Sequence, residues 1–498
     1  MIAGLERVEQ DMIAGGSFSS SRDVALPLSA ARTSNKVRGL SEQNMAISGT
    51  RSSESIQVAS GGEGTSYGSA LAMVTTLFFM WGFLTSLNDI LIPHLKSIFE
   101  LNYAQVMLVQ FAFFTTYALL GIPSGKVVEW IGYKRTMVAG LLTMGLGALL
   151  FIPAAKVPSF PLFLGALIVL AAGITALQVA ANPYVTVLGP ARTASSRLNL
   201  TQAFNSLGTV AGPIFGAFVI LRTAGKVQDV SKMSPAVHKA YQIHEASTVN
   251  IPYVGIALAL VLLGLAIAMY KFPRIETTKD YRPSELTKEK GGLWRNRHVI
   301  FGAIGIFVYV GAEVSIGSFL INYFAQPEIG GLATASGGGL HQLSASLLLL
   351  ATKVIGTWVP LYWGGLMIGR FIGSGLQQKV NPGRMLTVFA LCAMGLVVVS
   401  MLTDGGVAVW SILLVGLFNS IQFPTIFTLG VAEMGPLTGE ASGLLITAIV
   451  GGAIIPELQG MLADRIGIHH AFVLPILCYA YIAWYGVRGS KVRQPAAS

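Results

Sequence analysis

The sequence predicts an all-α polytopic membrane protein with twelve transmembrane helices in two six-helix, pseudo-symmetric halves. Hydrophobic residues make up 53% of the chain and charged residues only 11%, whereas soluble domains carry about 25% charged residues. Twelve apolar segments are long enough to cross a bilayer, which takes roughly 20 helical residues. A short sequence match between the two halves indicates an internal repeat.

Hydropathy places the spans in order along the chain. They cover residues 70–93, 104–125, 134–155, 160–188, 198–221, 251–271, 298–324, 355–377, 384–402, 406–430, 440–463 and 470–488. The start of the eighth span is blurred by the Gly-rich residues 329–340 and the apolar run Ala345 to Ala351.

These spans divide the chain into five predicted segments. Residues 1–68 are rich in Ser, Gly, Ala and Arg and lack apolar periodicity, so we expect a disordered cytoplasmic tail. The amino-terminal half covers 69–271 and the carboxyl-terminal half 298–488. A basic cytoplasmic linker, 272–297, joins them, and a short tail, 489–498, follows.

Lysine and arginine bias predicts the orientation. With both termini inside, eighteen of these residues lie in inner loops and the carboxyl-terminal tail, against eight in outer loops; eight of the inner ones lie between Lys271 and Arg297. No apolar segment followed by a small-residue cleavage site begins the chain, so we expect no secretory signal peptide. The prediction is a monomeric, multi-pass protein in the lipid bilayer of the inner membrane, with cytoplasmic termini.

Several function classes lack their sequence signals. The net charge of +10 forms no aromatic-interleaved basic face, so we expect no nucleic acid partner. Cys392 and Cys478 form neither a disulfide framework nor a metal-ligand spacing. A phosphate-binding GxxxxGK[ST] loop and a GxSxG nucleophile motif are both missing. We therefore expect no enzyme activity, no metal and no cofactor.

Two acidic residues are the candidates for ion coupling. Asp89 lies in the first span, where an ionised Asp costs about 2.5–3.5 kcal/mol near the helix centre, and Ser86 and Asn88 are polar neighbours. Glu313 lies in the seventh span. A carboxylate removed from water binds a proton more readily, so both acids are predicted coupling residues. For Glu457, which follows Pro456, we expect a structural role.

Three pairs of side-chain amides lie three or four residues apart in spans four, five and ten. They are Gln178 with Asn182, Gln202 with Asn205, and Asn419 with Gln422. Each pair projects from one helix face, and amides offer both donors and acceptors to the hydroxyls of a polyol. The alternative is hydrogen bonding between helices, worth about 0.6–2 kcal/mol per bond. Ser86 and Asn88 join these amides as predicted substrate-binding residues.

The internal repeat is visible at an offset of 241 residues. Residues 182–189 (NPYVTVLG) parallel residues 423–430 (FPTIFTLG), and both stretches end the fourth span of their half. Two parallel repeats of six spans describe the major facilitator superfamily. The segment 125–135, between spans two and three, resembles a degenerate form of the superfamily's loop signature.

Longer strings resemble the fucose–galactose–glucose:proton symporter family. They include residues 78–83 (FFMWGF), 87–95 (LNDILIPHL), 180–189 (AANPYVTVLG) and 202–206 (QAFNS). The segment 309–315 (YVGAEVS) is similar to the bacterial glucose/galactose branch. The resemblance covers about residues 70–488.

This resemblance implies roles for individual residues. The family's fucose carriers use an acid in the first span, which matches Asp89. Their second acid, in the fourth span, is replaced here by Gln178. Their glutamine and asparagine in the fifth span match Gln202 and Asn205. Glu313 is an additional acid of the glucose/galactose branch, so the resemblance implies a rearranged coupling site.

The sequence therefore predicts a secondary transporter that imports glucose and galactose with protons. Fucose or another sugar, and sodium in place of the proton, remain alternatives. A drug/proton antiporter shares the fold, but we expect a more aromatic cavity with fewer amides there. An uncoupled facilitator would leave Asp89 structural. A sugar-sensing receptor is the alternative from another class, and such proteins usually carry a long cytoplasmic extension.

Overall fold

The structure is a computed structural model that describes residues 67–99, 103–157, 159–215, 250–273, 292–324, 326–330 and 359–492, with isolated positions between 237 and 247. The predicted tail up to residue 66, most of the predicted linker, the end of the fifth span and the start of the eighth lie outside the described residues. The same holds for the side chains of 88–107, which include Asn88 and Asp89.

Regular structure in the described residues is helical. The main helices are α1 (Tyr67–Phe99), α2 (Tyr103–Lys156), α3 (Phe160–Val187), α4 (Ala194–Phe215), α5 (Asn250–Met269), α6 (Arg297–Phe324), α7 (Val359–Leu376), α8 (Pro382–Leu402), α9 (Gly405–Asn419), α10 (Gln422–Gly430), α11 (Thr438–Thr447), α12 (Gly451–Ile466) and α13 (Val473–Trp484). Shorter helical turns lie at Ala191–Thr193, Leu293–Arg295, Pro327–Gly330, Gly435–Leu437, Ala448–Val450, Ile468–Ala471 and Tyr485–Gly489.

Each of the twelve predicted spans coincides with a described helix or part of one. Helix α2 holds two spans, because its 54 residues would reach about 80 Å at ~1.5 Å per residue, against ~30 Å for a bilayer core. The chain breaks at Gly132, with φ of 81° and ψ of 165°, a conformation that glycine adopts without steric cost. The tenth span is divided between α9 and α10, and the eleventh between α11 and α12.

Two of these spans, α4 and α7, carry polar side chains that the fold buries. Helix α4 buries a set of polar side chains, namely Ser195, Ser196, Asn199, Thr201, Gln202, Asn205 and Ser206, and α7 buries Arg370. Large apolar side chains such as Ile251 and Met269 are instead exposed. The pattern is that of a membrane protein, in which apolar residues face lipid and polar residues face the interior.

Glycines let the helices within each half approach closely. A Cβ added at Gly82 of α1 would lie 2.1 Å from the Asn205 carbonyl oxygen of α4. In the other half, a Cβ at Gly451 of α12 would lie 2.0 Å from the Phe307 carbonyl oxygen of α6. Corresponding helix pairs of the two halves therefore pack backbone to backbone, as small residues allow in membranes.

The two halves meet at one end of the bundle. We call this end the linker side, because it contains Tyr270 and Arg297, which border the segment that joins the halves. Here Gly121 and Gly125 of α2 contact Gly443 and Gly439 of α11, and a Cβ at Gly443 would lie 2.7 Å from the Gly121 carbonyl oxygen.

Hydrogen bonds between α4 and the carboxyl-terminal half extend this contact. The Ser195 and Thr428 hydroxyls lie 2.6 Å apart, and the Ser196 hydroxyl donates to the Ser374 carbonyl oxygen at 2.6 Å. Both serines are buried. The described structure is therefore closed on the linker side.

Candidate functional site

A buried tyrosine–amide pair stands at the centre of the amino-terminal half. Gln178 of α3 donates from Nε2 to the hydroxyl of Tyr117 in α2 at 2.6 Å, and the Trp81 side chain of α1 hydrogen-bonds to the same hydroxyl. Only 1% of Gln178 is exposed. Its Oε1 atom is buried and lacks a hydrogen-bond partner.

The other predicted amides of this half continue the group. Gln202 of α4 donates from Nε2 to Asn182 Oδ1 of α3 at 3.5 Å, while Asn182 Nδ2 is buried without a partner. Asn205 donates from Nδ2 to the Phe78 carbonyl oxygen of α1 at 3.0 Å. One donor group of Asn205 therefore holds two helices together, which is the structural alternative expected for an amide in a membrane helix.

Of the three polar site residues predicted in α1, the structure describes the side chain of Ser86. Ser86 donates to the Phe83 carbonyl oxygen at 3.0 Å and faces α4, where a Cβ at Gly212 would lie 2.1 Å from its hydroxyl oxygen. Asn88 and Asp89 lie on the same helix, but their side chains are outside the described residues. Their predicted roles stay predictions.

A second tyrosine–amide group lies in the carboxyl-terminal half. Asn419 at the end of α9 donates from Nδ2 to the Tyr362 hydroxyl of α7 at 2.8 Å. Its Oδ1 accepts from the Tyr479 hydroxyl of α13 at 2.8 Å and from Gln422 Nε2 of α10 at 3.2 Å. Gln422 Oε1 is buried and lacks a partner. The predicted pair Asn419 and Gln422 is thus brought into one network.

Glu313 borders this second group. The Tyr362 hydroxyl donates to the Glu313 carbonyl oxygen at 3.3 Å. The Tyr309 hydroxyl, one helical turn before Glu313 and near its carboxyl group, donates to the Asn419 carbonyl oxygen at 3.0 Å. The acid predicted for coupling therefore lies beside the amides predicted for substrate.

Arg370 of α7 connects the two groups. Its Nη1 donates to the Gln202 carbonyl oxygen at 3.0 Å and to the Ser206 hydroxyl at 2.5 Å, and its Nε donates to the Ser420 carbonyl oxygen at 3.3 Å. Only 7% of the residue is exposed. A buried cation in a membrane bundle is costly and marks a functional site.

Sequence reasoning overlooked Arg370, and it favoured lipid contact or packing for tyrosines such as Tyr117 rather than a bond to an amide. Acidic residues within spans were considered, but a basic residue in the uncertain eighth span was not. A signal was available in the repeat, because the offset of 241 that relates the two Pro-containing stretches also relates Gln178 to Asn419. Tyr117 and Tyr362 occupy corresponding spans at an offset of 245. The repeat thus points to paired tyrosine–amide contacts.

Three atoms of the predicted site amides are buried without partners. Gln178 Oε1 and Gln422 Oε1 are acceptors, and Asn182 Nδ2 is a donor. Leaving such a buried group unpaired costs about 1–3 kcal/mol. A sugar hydroxyl is both donor and acceptor, so it can pair with an atom of either kind.

Other polar and apolar features of the described residues lie outside this site. No group of three or more His, Cys, Asp or Glu side chains that could hold a metal occurs among them. His469 contacts the Met401 carbonyl oxygen at 2.6 Å, and Glu457 is exposed. A groove of about 420 Å³ beside Phe79, Phe215 and Ile256 is apolar, so it offers a polyol few hydrogen bonds.

Comparison with known proteins assigns the family. The model of the Major Facilitator Superfamily matches residues 72–456. The chain is 50% identical over 425 residues to the glucose/galactose transporter of Brucella abortus, covering 85% of this chain and 95% of that protein. It is 36% identical over 426 residues to the L-fucose-proton symporter of Escherichia coli, covering 84% and 93%.

Solved structures agree with this assignment. The fucose transporter FucP in the outward conformation matches with a TM-score of 0.75 and 33% identity, covering 86% of this chain and all of that one. The proton:xylose symporter XylE matches with a TM-score of 0.58 at 13% identity, which supports the fold alone. The chain therefore belongs to the Major Facilitator Superfamily, in the family that contains the glucose/galactose transporters and the L-fucose-proton symporters.

Proposed function

We propose that this protein imports hexoses, glucose and galactose first among them, together with protons by alternating access. The observation that carries the proposal is the pair of tyrosine–amide groups, one in each half, with unsatisfied amide atoms that fit sugar hydroxyls. The names of the similar proteins support the substrate class, since the relatives described above are named glucose/galactose transporter and L-fucose-proton symporter.

Each predicted site residue has a proposed role. The amides Gln178, Asn182, Gln202, Asn419 and Gln422 bind sugar hydroxyls through their unsatisfied atoms or after exchanging a present partner. Ser86, Asn88 and Asn205 bind sugar, and Asn205 also positions α1 against α4. Asp89 and Glu313 are the proton-coupling acids, and the proton is preferred over sodium because the similar fucose carrier is named a proton symporter.

The proposed orientation places the linker side in the cytoplasm of a cell with this protein in its inner membrane. The excess of Lys and Arg in the loops on that side supports it. The described structure would then be closed toward the cytoplasm, since its halves meet on the linker side. Alternating access requires these contacts to break when sugar and proton are bound. We further propose that the protein works as a monomer.

Counterflow in proteoliposomes tests the substrate. Purified full-length protein is reconstituted with glucose, galactose, mannose or fucose inside, and uptake of labelled galactose is followed at two pH values. We expect glucose and galactose to drive counterflow. Absence of counterflow with every sugar, together with export of a lipophilic dye by cells that express the protein, would replace sugar import by drug/proton antiport.

A pH measurement tests the coupling ion. Adding galactose to weakly buffered, de-energised vesicles should alkalinise the medium, because each imported sugar carries a proton with it. The control is the same addition in the presence of a protonophore. If the pH stays constant and uptake requires sodium, the proton assignment is wrong while the sugar assignment stands.

A further inference from the structure

Arg370 is the cation that bridges the two halves. It belongs to the carboxyl-terminal half, yet both bonds of its Nη1 atom go to α4 of the amino-terminal half. Its own backbone carbonyl oxygen accepts from Asn199 Nδ2 of α4 at 3.0 Å. Side chain and backbone of one residue therefore hold α7 against α4 where the linker side is closed.

The partners of the guanidinium are neutral. Two are backbone carbonyl oxygens and one is a serine hydroxyl, so these bonds satisfy donors without balancing the charge. The described acid near this cation is Glu313 of α6. Tyr309, one helical turn before Glu313, donates to the Asn419 carbonyl oxygen at 3.0 Å. Arg370 donates to the next carbonyl oxygen, that of Ser420. The charges of Glu313 and Arg370 interact at this distance. A buried cation that loses its counter-charge is strongly destabilising in its site.

The Ser420 carbonyl oxygen is free for this contact because of a proline. Pro424 has no N–H with which to bond the carbonyl four residues earlier, and its ring disfavours a regular helix there. The helix accordingly breaks between Asn419 and Gln422. The break lets Arg370 reach α9 on one side and α4 on the other.

We propose that Arg370 is a positioning residue that ties the charge of Glu313 to the contact between the halves, so that protonation of Glu313 opens the linker side. With Glu313 ionised, the two charges balance and the closed contact holds. With Glu313 protonated, Arg370 is an unbalanced cation in a dry interface. Opening admits water to the guanidinium and removes that cost. This inference rests on the proposed proton-coupled transport and names its coupling element.

The other groups that face Glu313 are hydroxyls. Tyr309 lies on its own helix, Tyr362 on α7 and Tyr479 on α13, and each interacts with it. A tyrosine with an unperturbed pKa near 10 is uncharged at neutral pH, so Arg370 is the described charge that senses the state of Glu313.

The test measures how readily the linker side opens. Ser195 is buried against Thr428 across the closed contact, so a Ser195→Cys variant reports opening through its rate of alkylation by a maleimide. All measurements use the full-length protein in detergent and subtract labelling of Cys392 and Cys478. Glu313→Gln, which mimics the protonated acid, should raise the rate by about tenfold or more, because it leaves Arg370 without a counter-charge.

The double variant is decisive. Glu313→Gln combined with Arg370→Gln removes both charges, so alkylation should return toward the starting rate, whereas two unrelated defects would add. Glu457→Gln is the matched control, since it removes an exposed acid of the same half, and it should leave the rate unchanged. Arg370→Lys in the Glu313→Gln background keeps a cation and should remain open.

Three outcomes would overturn the inference: no change in Glu313→Gln, an equal change in Glu457→Gln, or no recovery in the double variant. If Arg370→Gln does not yield folded protein, Glu313→Gln against Glu457→Gln decides the question. The alkylation assay needs no sugar, so its result is independent of counterflow. Failure of alkylation to respond to charge would contradict the role of Arg370 even if counterflow succeeds. Failure of counterflow would contradict sugar transport even if the charge-dependent opening is observed.

Discussion

The two halves hold a buried amide in the same way but differ in what surrounds it. In the amino-terminal half, Gln178 makes one side-chain bond, to Tyr117. In the carboxyl-terminal half, Asn419 is bonded to Tyr362, Tyr479 and Gln422. Duplication of six spans accounts for the shared tyrosine–amide contact. Divergence after duplication accounts for the denser, charged network on one side.

The repeated prolines show the same combination of symmetry and difference. Pro183 and Pro424 lie 241 residues apart, and each leaves the carbonyl four residues before it without its helical partner. The Val179 carbonyl oxygen accepts from the Ser442 hydroxyl of the opposite half at 2.9 Å. The Ser420 carbonyl oxygen accepts from Arg370 of its own half. The repeated proline therefore fixes which backbone carbonyl oxygen lacks its helical partner. The surrounding residues decide which side chain donates to that oxygen instead.

This comparison teaches that the scaffold and the chemistry of the site are specified separately. Glycines and prolines recur because both halves need close helix packing and interrupted helices. Charges do not recur in the same way, since Glu313 and Arg370 stand among the described side chains of one half. The predicted charge of the other half, Asp89, has a side chain outside the described residues.

The largest expected effect comes from removing the predicted acid of one half, which tests whether both halves take part in coupling. Asp89→Asn should abolish accumulation of galactose yet preserve exchange of sugar across the membrane, because binding persists without the coupled proton. Accumulation in energised vesicles and counterflow measure the two activities, and Glu457→Gln serves as control. Full accumulation by Asp89→Asn would confine coupling to the carboxyl-terminal half.

The glycine contact between the halves can be broken without touching the site. Gly443→Leu would place side-chain atoms against the Gly121 backbone, and such overpacking costs about 1–3 kcal/mol. We expect faster alkylation of Ser195→Cys and slower sugar uptake. Gly165→Leu is the matched control, because a Cβ at Gly165 has nothing within 4 Å. Equal effects of both substitutions would refute a specific role for the contact.

The unequal networks predict unequal stability losses. Asn419→Ala leaves Tyr362, Tyr479 and Gln422 without one partner each, whereas Gln178→Ala releases only Tyr117. At about 1–3 kcal/mol for each orphaned buried group, Asn419→Ala should lower the thermal unfolding midpoint of detergent-solubilised protein more. An equal or smaller shift than for Gln178→Ala would mean that the denser network contributes no extra stability.

The smallest expected effect concerns pH on the linker side. Glu129 lies between the two spans of α2. Partial burial, and to a smaller extent the charge of Glu440 in α11, raises its pKa to about 7, while the charge of Lys126 opposes this increase. Because the pKa of Glu129 is raised in the closed state, its protonation stabilises that state. This stabilisation of the closed state is lost as pH rises from about 4.5 through about 7. Glu129 is exposed, so we expect less than about 1 kcal/mol.

Alkylation of Ser195→Cys in the Glu313→Gln background between pH 5 and 8 measures this effect without titration of Glu313. The rates are normalised to a cysteine at exposed position Arg384 to correct for thiol ionisation. The rate should rise modestly with pH, and Glu129→Gln should flatten the profile. Lys126→Gln, which removes the opposing charge, should move the rise to higher pH. A profile unchanged by Glu129→Gln would assign the pH response to other groups.

Sequence alone predicted the helical fold and the spans, since apolar segments and loop charges are local signals. The predicted amide pairs are all buried, but Gln202 meets Asn182 from another span, a contact that helical spacing does not predict. The tyrosine partners were not predicted, because a tyrosine in an apolar span is equally compatible with lipid contact or packing unless the repeat offset is used to pair the halves. Arg370 was overlooked because its span is polar and its start ambiguous.

What the sequence determined by itself is therefore the class, the twelve spans, the repeat and the residue types available for chemistry. These follow from hydropathy, periodicity and resemblance, each of which depends on neighbours along the chain. The tertiary structure decided which side chains meet, that the halves close on the linker side, and that Arg370 bonds to Gln202 of the opposite half. Those facts depend on helices more than a hundred residues apart, whose packing no local pattern specifies.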